Sequence, residues 1–309
     1  MAKEPKSLNG KVVAITGGAR GIGKATAQAL VRQGARVGIG DLDVELARQT
    51  AAELGDSVRA YELDVTSRPS FASFLDAVES DVGPLDVLIN NAGIMPITPF
   101  LDESDASAVR QLDINVHGTI FGMKEALPRM IGRRSGHIVN LASVAGKGGF
   151  PYLATYCATK HAVIGLTEAV RGEHIDSGVD FTVVMPAMVN TELTAGVKAG
   201  RGVEKAEPED VADAIVEALQ VGRFEVFVPK AVGRINKVMT VMPRRVREGI
   251  AHLLEADQVM VNADMSGRAA YEDRVAKSEP TPLEVAEDAR TADNVAASEP
   301  ESKPKEPVG

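Results

Sequence analysis

The chain has 309 residues, 44% of them hydrophobic and 25% charged, an ordinary balance for a globular enzyme with a large core. Its formal net charge of -9 argues against a general nucleic-acid binder, which needs a basic face to neutralise phosphates. The lone cysteine, Cys157, excludes an intramolecular disulfide and a cysteine-cluster metal site, and it suits a reducing compartment.

Met1 to Lys11 is polar and charged and does not read as a signal peptide. No stretch approaches the roughly 20 apolar residues of a spanning helix, so a cytoplasmic location is expected. The apolar run 12–16 stops at Gly17-Gly18-Ala19-Arg20-Gly21-Ile22-Gly23, and an Ala-rich helical stretch, 24–33, follows. A strand, a glycine turn and a helix together aim backbone N–H groups and a helix N-terminus at a phosphate. The spacing is G-x-x-x-G-x-G, not the G-x-G-x-x-G dinucleotide fingerprint, but glycine serves the same tight turn and close pyrophosphate approach in both.

A second apolar run, 36–40, leads to Asp41-Leu42-Asp43. Asp41 follows Gly23 by eighteen residues, near the ~20 expected for the acid that binds the adenosine ribose hydroxyls. A carboxylate there repels a 2′-phosphate and favours NAD over NADP; Arg20 in the turn could contact that phosphate or equally point at solvent, and Asp41 carries the greater weight. The pattern repeats with a helix at 43–54, a strand at 58–63 ending at Asp64-Val65, a helix at 68–80 and a strand at 85–89 ending at Asn90-Asn91-Ala92-Gly93. Strands alternating with helices of this length predict right-handed βαβ units in a parallel sheet, with ligands beyond the strands' carboxyl ends.

After a loop at 94–102, one long helix is expected over 103–131, with Asn115 inside it. A strand at 136–142 delivers Ser143, and a glycine-rich loop leads to a helix carrying Tyr156 and Lys160. These two are i and i+4, one turn apart on one face. A free phenol titrates near ~10, and moving its base form to neutrality takes about 3 to 4 kcal/mol. One cation about 4 Å away at an effective dielectric near 20 supplies about 4 kcal/mol, so a single lysine could suffice. A strand at 180–185, a mobile loop at 192–207, a helix at 208–220 and a last strand at 224–228 complete the pattern.

Taken together, Thr16-Gly17-x-x-x-Gly21-x-Gly23, Asp64-Val65, Asn90-Asn91-Ala92-Gly93, Asn115, Ser143, Tyr156-x-x-x-Lys160 and Pro186 resemble the short-chain dehydrogenases/reductases, in order and spacing, over residues 8–230. The resemblance implies a single α/β domain with a Rossmann-like, doubly wound parallel sheet in three layers. It implies that Tyr156 is the general acid/base, that Lys160 lowers its pKa and binds the nicotinamide ribose, and that Ser143 hydrogen-bonds the substrate oxygen. It also implies that Asn115 holds a water in a proton relay to Lys160. Gly17, Arg20, Gly21, Ile22 and Gly23 would cradle the pyrophosphate, and Asp41, with Leu42, the ribose. Asp64 and Val65 would border the adenine, Asn91 and Gly93 the adenosine side, and Val189 and Thr191 the nicotinamide carboxamide. A homo-oligomer, dimer or tetramer, is implied as well.

Two positions depart from the family pattern: Ala187 stands where glycine usually follows Pro186, and Cys157 replaces a more usual serine and reads as a small packing residue. The five histidines form no metal spacing and no G-x-S-x-G elbow occurs, so neither a metalloenzyme nor a hydrolase is expected.

Residues 1–7 read as a tail and 231–277 as a helical extension. Within 230–254, Lys230, Arg234, Lys237, Arg244, Arg245 and Arg247 oppose a single acid, Glu248. Ile235, Val238, Met239, Met242, Val246, Ile250 and Leu253 recur at helical spacing, with Pro243 starting a second helix. Such a pair can pack on the enzyme or a second subunit, lie on an anionic membrane, or cover a lipophilic pocket. The Pro/Glu/Ala/Ser-rich stretch 278–309 is expected to be disordered. The expected activity is NAD-dependent hydride transfer with a lipophilic secondary alcohol or ketone of sterol, retinoid or fatty-acyl type. The alternatives are an NADP-dependent carbonyl or 3-oxoacyl reductase and a non-catalytic nucleotide-sensing or scaffold protein.

Overall fold

A computed structural model describes residues 5–198, 205–253 and 258–277. Seven parallel strands form one sheet in the order β3-β2-β1-β4-β5-β6-β7: β1 Val12–Thr16, β2 Arg36–Asp41, β3 Val58–Glu62, β4 Val87–Asn90, β5 Gly136–Leu141, β6 Val179–Pro186 and β7 Glu225–Val228. The chain winds outward from β1 to β3, then returns to the middle and winds the other way from β4. The reversal opens a crevice beyond the carboxyl ends of β1 and β4, where such sheets bind ligands.

Alternation along the strands builds two cores. Val13 and Ile15 of β1 pack with Val37 and Ile39 of β2 under helices α1 (Gly21–Arg32), α2 (Val44–Leu54) and α7 (Pro208–Val221). Val12 and Ala14 face the opposite layer, which holds Phe71, Phe74 and Leu75 of α3 (Arg68–Asp81) and Met123 and Met130 of α5 (Gly118–Ile131). Leu166 and Val170 of α6 (Ala154–Glu173) pack against the same cluster. Each fully buried Leu, Ile or Phe contributes roughly 1.5 to 3 kcal/mol, so the two cores dominate the fold's stability.

Polar residues fix where the helices begin. Asp43 accepts from the Leu46 amide at 3.2 Å ahead of α2, and Ser67 accepts from Ser70 at 3.3 Å ahead of α3. Ser104 does the same for α4 (Asp105–Leu112). The helix expected over 103–131 is two helices, α4 and α5, joined by a π-helical turn over Asp113–His117 that contains Asn115. Such a turn is a single-turn widening that re-aims side chains, often at functional sites.

Beyond β7 come α8 (Lys230–Val241), α9 (Arg244–Leu253) and α10 (Met265–Lys277). The break before Arg244 falls at Pro243, as the sequence predicts. Helix α10 lies in a stretch where the sequence suggested no separate element. Ile235, Val238, Val241 and Val246 are exposed, so α8 and α9 keep part of their apolar stripe outward. No helix of the described residues is long and apolar enough to cross a membrane. The stretch 278–309, expected to be disordered, lies outside the described residues.

Candidate active site

The glycine turn between β1 and α1 is held from below by Asn91. Its side-chain amide donates to the Thr16 and Gly17 carbonyls, both at 2.9 Å. At Gly23 a Cβ would sit 2.2 Å from the Gly17 carbonyl oxygen, so only glycine lets α1 start this close to the turn. A cleft of about 540 Å³ opens above the turn. Gly17, Arg20, Gly21 and Ile22 line its floor, Asp41 and Leu42 one end, and Asp64, Val65, Asn91 and Gly93 its side, with Thr191 opposite. Gly23 lies behind this surface, and Val189 is buried beside it in a bridge with Ala206.

The end at β2 is acidic. Asp41 accepts from the Ala19 amide at 3.1 Å through one oxygen and from the Asp43 amide at 3.1 Å through the other. Burial raises its pKa above the ordinary value, against those two backbone donors and Arg20, which lower it. Arg20 itself is engaged with Asp43 at 2.6 Å and Glu192 at 3.4 Å. The cation available to a 2′-phosphate is therefore already paired with two acids.

A dinucleotide fits this cleft on two structural grounds. Asp41 keeps acceptor capacity on both oxygens for ribose hydroxyls, each carboxylate oxygen having more than one lone pair. At Gly93 an added Cβ would reach Asn115 Oδ1 at 3.1 Å and Lys160 Nζ at 3.5 Å, so a residue without a side chain lets the cleft wall run close to both groups.

Ser143, Tyr156 and Lys160 meet beyond the carboxyl end of β5. Ser143 caps a 3-10 turn, accepting from the Ala145 amide at 3.1 Å, and hydrogen-bonds the Tyr156 phenol. Lys160 Nζ lies 5.6 Å from the centre of the Tyr156 ring and donates to the Leu141 carbonyl at 2.9 Å. Both side chains are buried, Tyr156 at 7% exposure and Lys160 at 5%.

Burial dominates the electrostatics of this pair. Burial pushes the phenol well above its ordinary range, the Ser143 bond opposes that, and Tyr271 and Cys157 add to it. The same burial brings the Lys160 ammonium down to about 8. Desolvation disfavours the charged form of each group, the phenolate of Tyr156 and the ammonium of Lys160 alike.

Asn115 is fully engaged with protein. Its Oδ1 accepts from the Ile94 amide at 2.9 Å, while its Nδ2 donates to the Ile94 carbonyl at 3.0 Å and to Thr159 Oγ1 at 3.1 Å. It therefore pins the loop after β4 to the helix bearing Tyr156. Cys157 packs as a buried small residue, and Ala187 adopts ordinary backbone with its amide on the Val228 carbonyl at 2.8 Å. The loop at 192–207 contains a 3-10 turn, Glu192–Thr194, of which residues 199–204 lie outside the description. Among the described residues no group of three or more His, Cys, Asp or Glu could hold a metal ion.

Among the lining residues that sequence reasoning missed are Tyr271, Arg274 and Val275 of α10. The available signal was local: a tyrosine and a valine four apart, in an otherwise polar stretch of a chain with only four tyrosines.

Comparison with known proteins places these features in context. The short chain dehydrogenase family profile matches residues 11–202. A sorbitol dehydrogenase of Cereibacter sphaeroides is 39% identical over 230 residues, covering 73% of this chain and 90% of that protein. The 17-beta-hydroxysteroid dehydrogenase 13 of Rattus norvegicus is 31% identical, covering 79% of this chain and 83% of that protein. Among solved structures, a short chain dehydrogenase/reductase from Burkholderia phymatum in complex with NAD superposes with a TM-score of 0.70 at 26% identity, covering 76% of this chain and 94% of that one.

Proposed function

Because the chain belongs to the short-chain dehydrogenase family, and so is an oxidoreductase of alcohols and ketones, we propose that it uses NAD to interconvert a lipophilic secondary alcohol and its ketone. The observation that carries this is the meeting of Ser143, Tyr156 and Lys160 at the strand ends, beside a cleft whose far end is Asp41. NAD, when bound, supplies the hydride acceptor and NADH the donor. The protein's part is the proton. In reduction the Tyr156 phenol gives its proton to the carbonyl oxygen, with the Ser143 hydroxyl bonded to the same oxygen; in oxidation the proton returns to Tyr156. Lys160, Val189 and Thr191 are proposed to hold the nicotinamide side, with Asn115 beside Lys160 in the proton relay, and the glycine turn, Asp41, Leu42, Asp64, Val65, Asn91 and Gly93 the adenosine side.

The preference for NAD follows from charge. Asp41 would face a 2′-phosphate directly, and Arg20 would have to abandon Asp43 and Glu192 to compensate. The NAD in the Burkholderia phymatum structure and the NADH in a Brucella melitensis 3-ketoacyl-(acyl-carrier-protein) reductase, 27% identical, support the same choice.

The preference for a lipophilic substrate follows from the lining. Tyr156 sits in an apolar cluster with Met95, Ile97, Leu153 and Val197, and Met188, Leu193 and Met260 pack against it. A polyol there would bury hydroxyls without partners, at roughly 1 to 3 kcal/mol each, so a hydroxysteroid-like alcohol suits the lining better than a sugar alcohol. The exposed apolar and basic residues of α8 and α9 support peripheral contact with an anionic membrane. A cytoplasmic homo-oligomer is proposed on the family resemblance and the free thiol.

The deciding experiment is Tyr156→Phe. Oxidation of secondary alcohols, read as NADH absorbance, should fall by about 10²-fold or more while NADH binding by fluorescence stays within a few-fold. Persistent turnover would sink the proposal.

A further inference from the structure

Helix α10 crosses the two loops that border Tyr156, residues 91–98 beyond β4 and 191–197 beyond β6. Its start is capped by Asp264, whose carboxylate accepts from Ser266 at 3.0 Å and Gly267 at 3.3 Å, and the Asp264 amide donates to the Gly196 carbonyl at 2.8 Å. Four residues on, Arg268 has no exposed surface and is the largest fully buried side chain among the described residues.

A guanidinium is buried only where its donors are satisfied. Arg268 Nη2 donates to the Met95 carbonyl at 2.7 Å, in the first loop. Its Nη1 donates to the Leu193 and Ala195 carbonyls at 2.6 and 3.3 Å, in the second. Nε pairs with Glu272 at 2.8 Å, and Glu272 also accepts from the Ile97 amide at 3.4 Å. One side chain thus spans the two loops, and its fixed planar fork sets their separation.

Tyr271 stands between the arms of this bridge. Its hydroxyl accepts from the Met95 amide at 2.8 Å, and its ring lies 4.7 Å from the Arg268 guanidinium and 5.6 Å from that of Arg274. It lines the nucleotide cleft, yet its phenol is near enough to Tyr156 to act on that group's ionisation.

We propose that α10 builds the outer wall of the cleft where it runs past the Leu193 side of the Tyr156 cluster, with Arg268 as a positioning residue that fixes the gap between the two loops and Tyr271 as the residue that limits substrate size. This rests on the alcohol–ketone reading above and adds to it: the far wall of the substrate site comes from a helix beyond the seven-stranded sheet.

The test uses the full-length protein with NAD and two secondary alcohols, one short-chain and one polycyclic. Tyr271→Ala should raise the ratio of kcat/KM for the polycyclic over the short alcohol by about tenfold or more, and Tyr271→Phe should keep the ratio within about twofold. Arg268→Met should raise KM by about tenfold or more with a smaller change in kcat, and Arg268→Lys should recover part of the loss. Hydrogen exchange gives a readout independent of turnover. The Met95 and Ile97 amides should be protected in the unaltered protein, and should lose that protection in Arg268→Met while the β1 amides keep theirs.

If Arg268→Met does not fold, the Tyr271 pair and the exchange of the unaltered protein decide. An unchanged size preference in Tyr271→Ala, or Met95 and Ile97 amides exchanging at unstructured rates, overturns the wall. Absence of turnover on every alcohol and ketone overturns the proposed function instead, and exchange alone then decides the wall.

Discussion

At the scale of single residues, the site holds a lysine where the fold would be more stable without one. Lys160 titrates near 10.5 when free and at about 8 in the folded protein, so its charged form is disfavoured by burial. Below about pH 8 both states carry the proton and the penalty is complete; it shrinks as pH rises toward the free value and is gone above it. Lys160→Met should therefore stabilise the protein by about 1 to 3 kcal/mol at neutral pH, less whatever the unpaired Leu141 carbonyl costs, and the gain should vanish in alkaline solution. Denaturant melts at several pH values check the sign, and the same variant should lose most turnover. Asp41 carries the cofactor choice: Asp41→Ala should shift the NADP to NAD ratio of kcat/KM by about tenfold or more toward NADP, since it removes a carboxylate from the phosphate's neighbourhood. The identities and spacing of these residues were legible in the sequence. The depth at which Tyr156 and Lys160 lie was not, because i,i+4 spacing carries the amine's proximity but says nothing of the cover around the two groups.

At the scale of elements, the sheet was legible because most strands are short apolar runs separated by helical stretches, and Asp41, Asn91 and Ser143 appear at or just beyond the carboxyl ends of β2, β4 and β5. The break between α4 and α5 was not. Residues 103–131 keep a helical pattern throughout, and the π turn at Asp113–His117 answers a tertiary demand, the reach of Asn115 to Ile94 and Thr159. Within β5, His137 shows how an interior polar residue couples strand pairing to pH. Its Nε2 lies 2.8 Å from Thr182 Oγ1, and Thr182 donates onward to the Arg223 carbonyl, so the ring donates through Nε2 and is neutral. Burial brings His137 down to about 4, with Asp180 opposing and Lys6 adding. Because the unfolded chain takes up that proton at higher pH, stability should fall as pH drops from about 6.5 to about 4, by up to roughly 3 kcal/mol. His137→Gln should flatten that part of the pH–stability curve, as thermal melts would show.

At the scale of the whole molecule, an acidic chain carries one basic appendage. If α8 and α9 touch anionic lipid, each Lys or Arg contributes about 1 kcal/mol near the surface, and the exposed Ile235, Val238 and Val241 add apolar burial. Full-length protein should cosediment with vesicles rich in anionic lipid, release at high salt, and lose binding when Arg234, Lys237, Arg244 and Arg245 are changed to Glu. No cosedimentation at low salt would remove the membrane contact. The basic stripe was readable from composition and period; the packing of α10 was not, since Arg268 has meaning only against carbonyls some 75 and 173 positions away in the chain.

Glu192 bonds both Arg20 of the glycine turn and Arg274 of α10, the latter at 2.5 Å. One carboxylate thus serves two masters. Recruiting Arg20 to a phosphate would leave Glu192 to Arg274 alone, so the glycine turn and the last helix are linked through a single shared acid.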